Sequence, residues 1–255
     1  MARYHECRDE ILVKVRFLGS GDAFGSGGRF QTCIHVETGA SQLLLDCGAS
    51  SLIAMRRFGV DPQAIDTVIL SHLHGDHFGG VPFLILDGQF KRRTRPLLVV
   101  GPPGVDKRVR EAMEVFFPGS TRIERKFETQ FIELADRVPV DVGPVQVTAF
   151  DVSHASGAPP FAIRVAAGGK VVAYSGDTEW TESLLDAARG ADLFIAEALF
   201  YDKRVRYHLD LATLMEHRPR LECRRVVLTH MGEDVLARLD GLAIEAAEDG
   251  KQLLL

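Results

Sequence analysis

The sequence is poor in cysteine, tryptophan and long apolar runs, and it has no excess of positive charge. Four cysteines, Cys7, Cys33, Cys47 and Cys223, are scattered over 255 residues without CxxC spacing. That excludes a disulfide framework and leaves free, mostly buried thiols suited to a reducing compartment. No apolar stretch approaches the roughly 20 residues that a membrane-spanning helix needs. The first ten residues, Met1 to Glu10, are polar and charged where a secretion signal carries an apolar centre, so the expected location is the cytoplasm. A net charge of -5 leaves no global basic field to gather nucleic acid or an anionic membrane surface. Low-complexity tracts, internal repeats and Ser/Pro-rich linkers are also missing. With 46% hydrophobic content, the chain is expected to form one domain over residues 1–255.

What is present reads as strands followed by helices. Runs rich in β-branched and large apolar residues predict strands at 13–18, 34–37, 41–45, 67–70, 96–100, 161–165, 171–174, 193–196 and 226–228, and residues 121–152 read as β throughout. Helical spacing appears at 83–90, 105–117, 181–188, 209–218 and 234–246, and 57–65 reads as a turn-rich connection. The pattern predicts an α/β domain with helices over its outer faces.

The densest chemistry is Ser71-His72-Leu73-His74-Gly75-Asp76-His77, behind the apolar run Val68-Ile69-Leu70. In extended backbone His72 and His74 face one side, where two neutral imidazoles can grip one ion. Asp76 joins them there if the chain stays extended, while His77 is free to turn toward a second ion. Five further apolar runs end in Asp46, His154, Asp177, Glu197 and His230. Each alone is an ordinary turn former or cap. Their repetition predicts a site assembled from rigid strand ends.

These residues resemble the metallo-β-lactamase superfamily of binuclear hydrolases. His72-Leu73-His74-Gly75-Asp76-His77 matches the HxHxDH signature; Ser153-His154, Ser175-Gly176-Asp177-Thr178 and Leu228-Thr229-His230 follow in the family's order, so the likeness runs from about Val15 to His230. It implies a four-layer αβ/βα sandwich. It also implies a first metal on His72, His74 and His154, a second on Asp76, His77 and His230, and Asp177 bridging them. Two divalent ions roughly 3.5–4 Å apart share a hydroxide and lower its pKa. The nitrogen and oxygen donors suit zinc first, with manganese or iron admitted. Asp46 is placed to orient a ligand histidine.

Within the superfamily the chain is most similar to the ribonuclease Z and phosphodiesterase branch, through Phe17 to Gly25, Leu45-Asp46-Cys47-Gly48 and Ser71 to Gly80. Asp192 to Ala198 resembles the segment with a catalytic-site glutamate, here Glu197, and Tyr207-His208-Leu209-Asp210 the one with a proton-transferring histidine, here His208. Asp76, Glu197 and His208 are therefore the expected catalytic residues. Such a general acid contributes roughly 10²–10⁴-fold in rate. Only 22 residues separate His154 from Asp177, where ribonuclease Z carries its transfer-RNA-gripping arm. They read as a plain hairpin, so transfer RNA is not the expected partner.

The expected activity is hydrolysis of a small or short phosphodiester by a metal-bridging hydroxide. Hydrolysis of a lactone, thioester or other ester is the alternative, and a non-catalytic metabolite-binding or carrier protein is the second. The glycines of Gly19 to Gly25 miss the dinucleotide fingerprint, so no nucleotide cofactor is expected, and that loop should approach the site closely. Lys91 to Arg95 reads as a solvated basic loop, and Lys203, Arg204 and Arg206 as a phosphate clamp near the leaving group. A homodimer is what the resemblance suggests.

Overall fold

A computed structural model describes residues 12–255. The expectations placed on Cys7 and on the stretch Met1 to Glu10 lie outside these residues. The strands are β1 (Lys14–Gly19), β2 (Cys33–Glu37), β3 (Gln42–Leu45), β4 (Thr67–Ile69), β5 (Leu97–Gly101), β6 (Thr129–Glu133), β7 (Val140–Val142) and β8 (Val145–Asp151). They continue with β9 (Phe161–Ala167), β10 (Lys170–Tyr174), β11 (Leu193–Glu197), β12 (Val226–Thr229), β13 (Glu245–Ala246) and β14 (Gln252–Leu254). The α-helices are α1 (Ser51–Arg57), α2 (Gly75–Phe78), α3 (Val81–Phe90), α4 (Val105–Phe116), α5 (Ser183–Ala188), α6 (Leu211–His217) and α7 (Glu233–Leu236).

The strands form two seven-stranded sheets, ordered β14-β1-β2-β3-β4-β5-β6 and β13-β12-β11-β10-β9-β8-β7. Strands β3 to β6 run parallel, as do β10 to β13. Three buried clusters give the layering. Phe17, Leu45, Ile69, Ile163, Tyr174 and Ile195 pack between the sheets. Leu44, Val68 and Val99 point outward against Met55, Leu84 and Val109 of α1, α3 and α4, and Phe194 and Leu228 against Leu184, Leu214 and Val235 of α5, α6 and α7. This is the expected four-layer αβ/βα sandwich.

Local pattern explains most elements. Central strands buried on both faces need unbroken apolar runs, as in Leu43-Leu44-Leu45. Helix α4 buries Val105, Val109 and Met113 at i, i+4 and i+8. Asp210 caps α6 by accepting from Thr213 N at 2.8 Å. The interval after His154 is the expected hairpin, β9 to β10, turning at Gly168 and Gly169 with φ of 58° and 76°.

Two expectations fail and one helix was missed. The helix foreseen at 234–246 stops at Leu236; after a 3-10 turn at Leu239–Gly241, Glu245–Ala246 becomes a parallel edge strand beside β12. Strand pairing there outweighs helix propensity. Residues 121–152 are not β throughout, since a 3-10 turn occupies Ser120–Arg122 and strands begin only at Thr129. Helix α1 was not foreseen, although Ser51, Ala54 and Met55 sit at its buried i, i+3 and i+4 positions. Among the described residues no helix is long and apolar enough to cross a membrane.

Candidate metal centre

Strands β3, β4, β10, β11 and β12 all deliver their C-terminal ends to one edge, and β8 runs the same way through two antiparallel pairings. Asp46, His72, Asp177 and His230 follow these ends, Glu197 is the last residue of β11, and His154 follows β8. After β4 the chain reaches His74, itself extended at φ −83° and ψ 152°, and then turns into α2. Asp76 therefore does not share a face with His72 and His74, as an extended chain would require; the helical turn sends Asp76 and His77 into a second group. The turn is seated by backbone bonds, Cys47 N to His77 O at 2.6 Å and Gly80 N to Cys47 O at 2.8 Å. A Cβ on Gly48 would lie 2.2 Å from Asp76 O, so the approach needs glycine. The Gly19 to Gly25 loop comes close as expected: His230 N donates to Ser20 O at 3.0 Å.

Potential ligand atoms gather within 4.8 Å of one another in three sets, the last two sharing Asp177 and His230: His72, His74 and His154; Asp76, His77, Asp177 and His230; and Asp177, Glu197, His208 and His230. Asp177 Oδ2 is central. It lies 4.0 Å from His72 Nε2, 3.3 Å from His77 Nε2 and 3.4 Å from His230 Nε2. Asp76 Oδ2 lies 3.2 Å from His77 Nε2 and 3.4 Å from His230 Nε2.

The ring nitrogens away from this centre are anchored. His77 Nδ1 donates to Asp46 Oδ2 at 2.7 Å, and Ser71 Oγ donates to the same atom at 2.7 Å. Because the Ser71 hydroxyl proton is spent there, His72 Nδ1 must be the donor across its 3.0 Å contact with Ser71 Oγ. His154 Nδ1 donates to the Tyr207 carbonyl at 2.8 Å. His72 and His154 thus carry their proton on Nδ1 and turn a bare Nε2 inward, and His77, anchored through Nδ1 in the same way, turns its Nε2 to the same centre. His72 Nε2, His77 Nε2 and Asp177 Oδ1 are buried without a hydrogen-bond partner. Leaving such groups unsatisfied costs about 1–3 kcal/mol each, and divalent cations satisfy all of them. The donor set fits a metal pair.

A family model described as Anti-Pycsar protein Apyc1 matches residues 13–243. The chain belongs to this Apyc1 family. It is also 35% identical over 144 residues to a ribonuclease Z of Lachnoclostridium phytofermentans, a match covering 56% of this chain and 45% of that protein. The chain thus spans less than half the length of that curated relative. Among solved structures, the metallo-β-lactamase fold protein YhfI from Bacillus subtilis superposes with a TM-score of 0.77 at 22% identity, covering 96% of this chain and 100% of that one. Human short-form tRNase Z superposes with a TM-score of 0.76 at 24% identity, covering 94% and 98%. The fold is therefore the metallo-β-lactamase fold, as the signature implied.

In this Apyc1-family chain Glu197 and His208 also meet. His208 Nδ1 donates to Glu197 Oε1 at 2.5 Å, while Glu197 Oε2 accepts from Thr178 N at 2.8 Å. Burial alone would lower the His208 pKa, but its bond to Glu197 and the nearby Glu197 and Asp177 charges raise it. Burial, then the Asp177 charge, raises Glu197. Burial likewise opposes a charged His230, yet Asp177, Asp76 and Glu197 raise it to about 9. His72 and His154 are lowered, chiefly by burial.

The basic segment 91–95 does not join the site. Arg93 is buried and spent on backbone carbonyls, including Ile65 O at 2.6 Å and Pro96 O at 2.7 Å, and Arg95 pairs with Asp66. Two supports escaped the sequence reading. Ser71 stood in the quoted motif without a role, and the Tyr207 carbonyl is backbone, which no residue type announces. Cys33 and Cys47 are free and buried and Cys223 is free and half-buried, much as expected.

Proposed function

We propose that this chain is a two-metal-ion phosphodiesterase, with His72, His74 and His154 holding one ion, Asp76, His77 and His230 the other, and Asp177 shared between them. The observation that carries this reading is Asp177 Oδ2, within 4.0 Å of the His72, His77 and His230 Nε2 atoms, of which those of His72 and His77 have no hydrogen-bond partner. Zinc suits the donors best. When bound, the ions supply a hydroxide at neutral pH and Lewis acidity toward a phosphoryl oxygen.

The chain's own groups do the rest. Asp46, Ser71 and the Tyr207 carbonyl hold the imidazoles in the tautomer that leaves Nε2 open. Glu197 holds His208 by Nδ1 and favours its charged form, leaving Nε2–H free of Glu197 to protonate the departing alkoxide. Glu197 is itself fixed by the backbone of Thr178 and Leu209. The ribonuclease Z relatives support a phosphodiester as the electrophile. The short hairpin between His154 and Asp177 favours a small or short substrate over transfer RNA. Residues 1–255 are read as one hydrolase domain.

The test is hydrolysis of bis(p-nitrophenyl) phosphate by zinc- or manganese-loaded protein, with Asp177→Asn run alongside. Turnover abolished in the variant supports the reading. Two bound ions without turnover would move lactone, thioester and carrier functions ahead of it.

A further inference from the structure

His230 owes its place to contacts that reach across the molecule. It follows β12 at φ 53°, a left-handed backbone that residues with a Cβ seldom adopt. Its amide donates to Ser20 O at 3.0 Å. A ligand carried by one sheet is therefore held by the loop that follows β1 of the other.

Ser20 is fully buried and is itself gripped by the C-terminal segment. Its amide and hydroxyl both donate to Asp249 Oδ1, at 2.9 and 2.8 Å, and Phe30 N donates to Asp249 Oδ2 at 2.7 Å. One carboxylate thus closes both ends of the Ser20 to Phe30 loop through three charge-assisted bonds. Arg29 Nη1 adds bonds to Ser20 Oγ at 3.0 Å and to Ala247 O at 2.6 Å. Asp249 lies between β13, the edge of one sheet, and β14, the edge of the other. On its two sides Ala247 N donates to Leu228 O at 2.8 Å and Gly250 N to Phe17 O at 2.7 Å. The segment is fastened just before His230 on one sheet and just before Ser20 on the other. The supports of His72, His77 and His154 are Ser71, Asp46 and the Tyr207 carbonyl, and use none of these bonds.

We propose that Asp249 is a positioning residue for the metal position of Asp76, His77 and His230: it acts through Ser20 to fix the His230 backbone, and the position of His72, His74 and His154 is independent of it. Asp249 belongs to none of the three sets of potential ligand atoms. The proposal rests on the two-ion reading and extends it to a segment that carries no ligand. Asp249→Asn keeps the shape of the side chain but sets an NH₂ against either Phe30 N–H or the two Ser20 donors, which releases one end of the loop.

The test isolates each position. His74→Ala keeps the ligands of the second position and His230→Ala those of the first. Zinc affinity is measured in each background by chelator competition, with and without Asp249→Asn, and the melting temperature of the metal-free chain is recorded alongside. The expected result is a loss of about tenfold in the His74→Ala background, the lower end for a residue that orients a metal ligand, and no change in the His230→Ala background. A role in general stability alone would lower the melting temperature and weaken zinc in both backgrounds or in neither, and either outcome would overturn the proposal. If Asp249→Asn does not fold, Ser20→Ala takes its place: it removes the hydroxyl and keeps the carbonyl, so a smaller loss is expected, again at the second position alone. Fewer than two zinc ions on the wild-type chain would contradict the two-ion reading. Two ions there, with the second unaffected by either variant, would contradict only the assignment of Asp249.

Discussion

Asp46→Asn changes one atom and should disable both metal positions. The Asp46 carboxylate accepts three bonds: Ser71 N on Oδ1 and Ser71 Oγ and His77 Nδ1 on Oδ2, each at 2.7 Å. Asparagine offers one oxygen. If that oxygen stays on Ser71 N, the amide NH₂ meets two donors, the Ser71 hydroxyl and His77 Nδ1–H. Relief requires His77 to move its proton to Nε2, the atom facing Asp76 and Asp177. The Ser71 hydroxyl must also turn toward His72 Nδ1, which moves that ring's proton to Nε2 as well. Losing such a support typically costs 10–100-fold in metal affinity, about 1.4–2.7 kcal/mol per ion. Chelator competition for zinc reads the affinity, and thermal unfolding of the metal-free chain is the control. If unfolding shifts while both affinities stay at the wild-type value, Asp46 is only a loop support and the tautomer argument is wrong.

Three other consequences are measurable. In the metal-free protein burial opposes charge on His77 and His230, but Asp177, with Asp46 at His77 and Asp76 at His230, raises both, His230 to about 9. Both carry a second proton and are charged at pH 7, whereas His72 and His154 are neutral. Filling the second position should therefore release about two protons, and its affinity should climb as pH rises toward 9; calorimetry in buffers of different ionisation enthalpy counts them. His208 acts in its charged form, so kcat should be sustained below its raised pKa and fall as pH rises through it. Removing the carboxylate charge with Glu197→Gln should move that basic limb to lower pH, which the pH dependence of kcat will show. Gly176 has φ 60° and an added Cβ would lie 2.7 Å from Phe161 O, so Gly176→Ala should destabilise by about 1–3 kcal/mol, visible as a lower melting temperature.

The site was more legible than the details of the fold. His72, His74 and His77 are packed into one short motif, and the strand-end residues Asp177 and His230 repeat one chemical theme, so local sequence was enough to bring them forward. Glu197 stood among the strand ends but took its role only from resemblance, and His208 was visible only that way, because an isolated histidine carries no spacing signal; their bond becomes evident once β11 and the segment before α6 are adjacent. The resemblance grouped Asp76 with His77 and His230, where the structure has it, whereas the extended-chain reading that set it beside His72 and His74 lacked one fact, that the chain turns helical at Gly75. Arg93 looked solvated by composition, yet tertiary packing buries it among carbonyls. The run 234–246 failed for the same reason, since the sheet edge beside β12 recruits Glu245 and Ala246 whatever their helical preference.

The paired clusters are the heart of this account, and turnover followed against ions bound per chain examines them together. Metal-free protein is loaded stepwise with zinc, metal content is measured by mass spectrometry, and bis(p-nitrophenyl) phosphate hydrolysis is recorded on the same samples. The account predicts little turnover at one ion per chain, a rise to full activity as the second binds, and none at any loading in Asp177→Asn. Full activity at one ion, or hydrolysis that persists with none, would contradict it.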